Sequence, residues 1–132
     1  MFSIKVKITE EKLIAPYNHV HHAEIMYFLE KARVEFLSHI EQPLENLHLN
    51  GLLPVLRNMS VDYLREIKEG EYLITCEKPK VNKRELLLQQ RAINIKKKDA
   101  VKASITLMIF STKEGRAVYP PEDLKQAFDN LT

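Results

Sequence analysis

Three histidines stand close together near the N-terminus, His19, His21 and His22, with Glu24 two residues further on. Imidazole titrates near neutrality, so each is suited to take a proton from water as a general base. His19 and His21 also fall on one side of an extended segment, and Glu24 adds a carboxylate, which makes a partial metal-ligand set. No distant partner pattern completes that set, so neither a metal nor a cofactor is expected. His22 opens a helical pattern, where unpaired backbone N–H groups and the helix dipole favour negative charge. It either caps the helix or faces a ligand. Glu24 stands in the first turn, where a carboxylate is favourable in any case and could also orient a water.

Two further groups carry chemistry by type. Lys78, Lys80, Lys83, Arg84 and Lys96 to Lys98 gather at two successive turns and could hold phosphates. Lysine-rich turns are also the ordinary way to keep hairpin ends solvated. Cys76 is the only cysteine. It has no activating base nearby in sequence and reads as a small core residue.

The elements that must position these residues follow from periodicity. Phe2 to Thr9 alternates apolar and polar, the period of a half-buried strand. Glu10 to His22, with Pro16 and Asn18, reads as a loop. Ala23 to Ile40 repeats Ile25, Leu29, Ala32, Phe36 and Ile40 at helical spacing. Phe28 widens the apolar arc, which predicts a helix enclosed by other elements. Glu41 to Leu53 is a connector broken by Pro43 and Gly51. Val55 to Glu66 then reads as a strand, with Met59, Val61 and Tyr63 on one face. Glu69-Gly70 is a turn, and Tyr72, Ile74 and Cys76 mark the next strand. Pro79 to Lys83 predicts a break before a strand over Glu85 to Ile95, irregular at Leu86-Leu87-Leu88. Val101, Ala103, Ile105, Leu107 and Ile109 alternate cleanly. Gly115 is expected to end the sheet, and Pro120-Pro121 opens a short helix over Glu122 to Asp129.

The chain has 132 residues, enough for one domain spanning 1–132, with a formal charge of +2. So small a bias, with no recognition motif, does not suit a nucleic-acid partner. No apolar run approaches the roughly 20 residues of a membrane span. A soluble, cytoplasmic protein is the expectation from the lone cysteine and the strand-like N-terminus. A strand, a long loop, one helix and four strands is an α+β order.

The segment NHVHHAEIMYFLEKAR (Asn18 to Arg33) and the stretch LPVLRNMSVDYLREIKEGEYL (Leu53 to Leu73) carry a resemblance. In their order and spacing they resemble the 4-hydroxybenzoyl-CoA thioesterase-like family, which includes the Tol-Pal-associated acyl-CoA thioesterases. The first holds the polar pair before an aromatic-rich helix ending in Glu-x-Ala-Arg. The second is an apolar strand ending in Tyr63, followed by Gly70-Glu71. The resemblance spans roughly residues 3 to 112. It implies a hotdog fold, a five-stranded antiparallel sheet wrapped around one long central helix. It also implies an acyl-CoA or acyl-carrier-protein thioesterase that assembles as a homodimer or homotetramer through a sheet edge.

The family's site maps onto this chain unevenly. The catalytic Asp falls on Ala15, which can be neither nucleophile nor base. The family's Gly falls on Asn18 and the helix-start Tyr on Ile25, while His22 is retained. The resemblance makes the helix start around His22 and Ala23 the place that polarises a thioester carbonyl. A second hotdog subfamily lacks the loop Asp and uses a helical Glu, about eight residues beyond its polarising amide. That count reaches Glu30, which could instead pair with Arg33 or another cation. Asn18, Ala23, Lys83 and Arg84 are the expected substrate-binding residues; His22, Glu30, Glu24, His19 and His21 are the catalytic candidates. The loss at Ala15 leaves a second reading open, a protein that binds an acyl-thioester or an acylated carrier without cleaving it.

Overall fold

Phe2–Ile8 forms the first strand, β1, with Val6 and Ile8 buried and Lys5 and Lys7 exposed, as its alternation requires. A computed structural model of the chain describes residues 1–9, 13–14, 19–20 and 22–131. Within the expected loop, Leu13–Ile14 (β2) and His19–Val20 (β3) pair antiparallel, Ile14 opposite His19. The helix α1 follows at His22–His39, within one residue of its expected bounds at either end.

The expected connector contains a helix, α2, at Leu44–Leu49. Pro43 starts this helix rather than breaking structure: it stands at the cap with φ −63°, a value the helix accepts. Then come β4 (Leu52–Tyr63), β5 (Gly70–Asn82), β6 (Glu85–Ile93), β7 (Asp99–Ser111) and β8 (Arg116–Val118). The C-terminal helix α3 occupies Glu122–Asp129, as the sequence predicts.

The main sheet is antiparallel, in the order β1-β5-β6-β7-β4, with β8 added beside the end of β7. That sheet has six strands rather than the expected five, and the described residues form three helices, the expected α1 and α3 and the unexpected α2, with α1 the longest at 18 residues. A three-residue strand such as β8 is too short to show alternation. The expected break at Pro79 is also absent. The strand β5 runs through Pro79 because β1 ends opposite Cys76, so the proline's missing N–H faces no strand on that side. A register shift against β6 between Glu77 and Lys80 absorbs the bend, with Lys78 at φ +50°. In β6 the alternation is regular after all: Leu86, Leu88, Gln90 and Ala92 are buried.

The core lies between α1 and the inner face of the sheet. Ile25, Leu29, Ala32 and Phe36 of α1 are buried, against Ile74 of β5, Leu88 of β6 and Ile105 of β7. Helix α3 closes one end, its buried Phe128 meeting Phe36 edge-on at 5.9 Å between ring centres. The enclosure expected of α1 is one-sided: Tyr27, Glu30, Lys31 and Glu35 are exposed on the face away from the core. No helix among the described residues is long and apolar enough to cross a membrane.

Candidate functional site

The first turn of α1 begins at His22, shortly after β3 pairs with β2. Glu24 is half-buried in that turn, and Ala23 is exposed. Ala15, Asn18 and His21 lie outside the described residues, and of His19 and His22 only the backbone is described.

Glu30 is exposed two turns further along. Together with Arg33, Val34, Leu37, Leu56 and Leu107 it lines a cleft of about 200 Å³ between α1, β4 and β7. At 1.5 Å per residue, Glu30 lies about 12 Å along the helix from His22. One protomer therefore does not bring the helix start and the Glu30 carboxylate onto the same carbonyl.

Arg33 is the unusual member of this cleft. It is only 9% exposed. Its Nη1 donates to Oε1 of Gln90 at 2.9 Å, its one hydrogen bond among the described residues. Gln90, also fully buried, donates from Nε2 to the Leu29 carbonyl at 3.0 Å and to Cys76 Sγ at 3.4 Å. A single amide thus ties β6, α1 and β5 together. Burial lowers the pKa of Arg33, and the nearby charge of Glu30 opposes that.

The basic residues divide rather than cluster. Lys83 and Arg84 form the β5–β6 turn, whereas Lys96, Lys97 and Lys98 form the β6–β7 turn. Successive turns of an antiparallel sheet lie at opposite ends, here separated by β6, about 30 Å at 3.4 Å per residue. Arg84 stacks on Tyr119, 4.4 Å from the ring centre. Lys83 is exposed at φ +56°.

Two other depressions hold less chemistry. The larger, about 810 Å³, lies at the opposite end of α1 from His22, against Phe2, Phe36, His39, Val81 and Leu131. Its one thiol, Cys76, is buried, and its pKa is pushed up to about 12 by desolvation, which outweighs the opposing Arg33 charge and Gln90 contact. The other lies on the outer sheet face, where the polar groups mostly satisfy one another. Arg91 Nε meets Glu77 Oε2 at 2.7 Å, Arg91 Nη1 meets Asp99 Oδ1 at 3.1 Å, and the Thr75 hydroxyl donates to Glu77 at 2.6 Å. Burial opposes ionisation of Glu77, but the hydrogen bonds from Arg91 and Thr75 and the Arg91 charge prevail and hold its pKa below the usual range. Bonding to Glu77 correspondingly raises Arg91.

Gln90 is the residue that sequence reasoning missed. A signal was present: a polar residue at the inward position of a strand otherwise reading Leu86, Leu88, Ala92.

The strand order and the placement of α1 against β5 and β1 define a hotdog-like α+β domain. Residues 11–128 match the family model described as the thioesterase-like superfamily, and the chain belongs to that superfamily. No curated protein sequence matches it. Among solved structures, a hypothetical protein of Thermus thermophilus superposes with a TM-score of 0.88 at 19% identity, covering 98% of both chains. A Staphylococcus aureus hypothetical protein in complex with CoA gives 0.88 at 17% identity, over 98% of this chain and 82% of that one. The probable thioesterase YbaW of Escherichia coli gives 0.82 at 20% identity, over 99% and 98%. At such identities the likeness establishes the fold.

Proposed function

We propose that the protein hydrolyses acyl thioesters of coenzyme A or of an acyl carrier protein. Membership of the thioesterase-like superfamily is the observation that carries this reading. The CoA bound to the similar Staphylococcus aureus fold supports coenzyme A as the carrier.

In the proposed reaction the N–H groups of the first α1 turn polarise the thioester carbonyl. Glu30 takes a proton as water adds to the carbonyl carbon, and the tetrahedral intermediate collapses with loss of the thiolate, which is protonated on leaving. Because Glu30 stands about 12 Å along the helix from His22, the Glu30 in each site comes from the second protomer of a homodimer. The edge strand β4 supports this assembly. It has 12 residues and leaves Val55 and Leu56 39% and 50% exposed, whereas β1, the other edge, presents Lys5 and Lys7. His19, His21, His22 and Glu24 are the further candidates for holding the water, and Asn18 and Ala23 for contacting the thioester. Lys83 is the candidate for a coenzyme phosphate; Arg84, stacked on Tyr119, has less freedom to serve.

The alternative, a binding protein without turnover, rests on Ala15 at the position where the resemblance expects a carboxylate. Thiol release from a panel of short, long and aromatic acyl-CoAs separates the two. Release that Glu30→Gln abolishes supports hydrolysis; acyl-CoA binding by calorimetry with no release selects the alternative.

A further inference from the structure

We propose that the β6–β7 turn is a membrane-docking tip, at which Lys96, Lys97 and Lys98 meet anionic lipid headgroups while Ile95 enters the lipid interface beside them. The three lysines are adjacent and exposed. None of them forms an ion pair with a described residue, and the acid next to them, Asp99, is already held by Arg91 at 3.1 Å and Lys102 at 3.9 Å. Arg65 and Lys68 add positive charge at the same end of the sheet, against Glu66 and Glu69. Ile95 is 79% exposed amid this charge. Leu64, 49% exposed, stands on the neighbouring segment, its N–H donating to the Ala100 carbonyl at 2.8 Å. A turn kept lysine-rich for solvation alone has no need of an exposed isoleucine.

Asn94 builds the turn. Its side-chain oxygen accepts from the N–H groups of Lys96 and Lys98, both at 3.0 Å, and its carbonyl accepts from the Lys97 N–H at 2.9 Å. This leaves Lys97 at φ +63°, the left-handed region that glycine or asparagine occupies at less cost. A cation thus stands where a glycine would fold more readily. Cations flanking an exposed apolar side chain are the composition of an interfacial anchor. The convex tip favours a bilayer over a folded acidic partner, since none of the clefts described above is lined by residues 94–98. Leu29 lies at Gln90, and Leu37 lines a cleft with Leu107, which pairs with Leu86. Helix α1 therefore runs away from the tip, and its first turn lies at the tip's end of the sheet. Docking there brings the helix start toward the surface in which long-chain acyl thioesters gather.

Vesicle cosedimentation tests this independently of thiol release. Wild-type protein is expected to sediment with mixed phosphatidylcholine and phosphatidylglycerol vesicles, less so as salt rises, and not with phosphatidylcholine alone. The triple change Lys96→Ser/Lys97→Ser/Lys98→Ser weakens that binding by about 100-fold. An equal loss of charge at the other end of the sheet, Lys80→Ser/Lys113→Ser/Arg116→Ser, changes it by less than about threefold. The chain has no tryptophan, so Ile95→Trp reports on the tip alone, its emission shifting to the blue with the mixed vesicles. No binding by the wild type, binding that survives the triple change at the tip, or an Ile95→Trp emission unmoved by the mixed vesicles overturns the proposal. Capture of an acidic acyl carrier protein through the same lysines, with no vesicle binding, overturns it in favour of a protein-docking site. Vesicle binding with no thiol release from any acyl-CoA keeps the tip and removes the hydrolase reading; release without vesicle binding does the reverse.

Discussion

Replacing Gln90 by Leu tests the internal tie on which the cleft depends. Leucine fills a similar volume but can neither accept from Arg33 Nη1 nor donate to the Leu29 carbonyl, bonds of 2.9 and 3.0 Å in the native protein. The larger loss is on the Arg33 side, where a residue only 9% exposed is left with no hydrogen-bond partner among the described residues. An orphaned buried charged donor costs about 3 kcal/mol. Unfolding entropy of about 2.1 cal/mol/K per residue gives about 0.28 kcal/mol/K for a chain of this length, so Tm falls by about 10 °C. The double variant Gln90→Leu/Arg33→Met removes donor and acceptor together and recovers at least half of that loss, because no buried charge remains. Calorimetric melting at one fixed protein concentration compares Gln90→Leu, Arg33→Met and the double variant without confusion from self-association. A drop under about 3 °C for Gln90→Leu, or a double variant that loses the sum of the two single losses, refutes the reasoning.

Other consequences follow from single observations. With its pKa near 12, Cys76 is ionised to about one part in ten thousand at pH 8, so a thiol reagent labels it only after denaturation; rapid stoichiometric labelling of the native protein contradicts this. The depressed pKa of Glu77 means that the unfolded chain binds the proton more readily. The stabilisation is therefore complete above the unfolded value near 4.5 and is lost as pH falls through the lower folded value. Glu77→Gln should cost about 1 kcal/mol at pH 7 and progressively less at acid pH, read from urea unfolding; a pH-independent difference removes the assigned role. Lysines at Val55 and Leu56 should shift the proposed dimer toward monomer by tenfold or more in dissociation constant, measured by sedimentation. A wild type that sediments as a monomer, or a variant that dimerises as before, contradicts pairing through β4.

The strands and α1 were legible because their residues answer to a regular period. Val101 to Ile109 alternates, with Met108 the one apolar residue at an outward position, and every inward position is buried; Ile25, Leu29, Ala32 and Phe36 recur at helical spacing and are buried likewise. What escaped was structure decided by partners distant in sequence. Pro79 stays within β5 because β1 ends opposite Cys76, a fact of pairing that local composition does not carry. Pro43 looks like a breaker and serves as a helix start, and both roles suit the same fixed φ. The basic turns read as one cluster because sequence distance hides the length of β6 between them. The place of Glu30 on an exposed face of α1 followed from counting along the helix. The tie between Arg33 and Gln90 was not, since it joins residues 57 positions apart.

The central claim concerns Glu30 and the cleavage of a thioester. Purified wild-type protein and Glu30→Gln should be assayed for thiol release across short, long and aromatic acyl-CoAs, with melting temperatures measured in parallel. The account predicts release from at least one thioester by the wild type. It predicts a kcat lower by about 10²- to 10⁴-fold in Glu30→Gln, at an unchanged Tm because the side chain is exposed. Absence of release from every thioester, or an undiminished rate in Glu30→Gln, would contradict it.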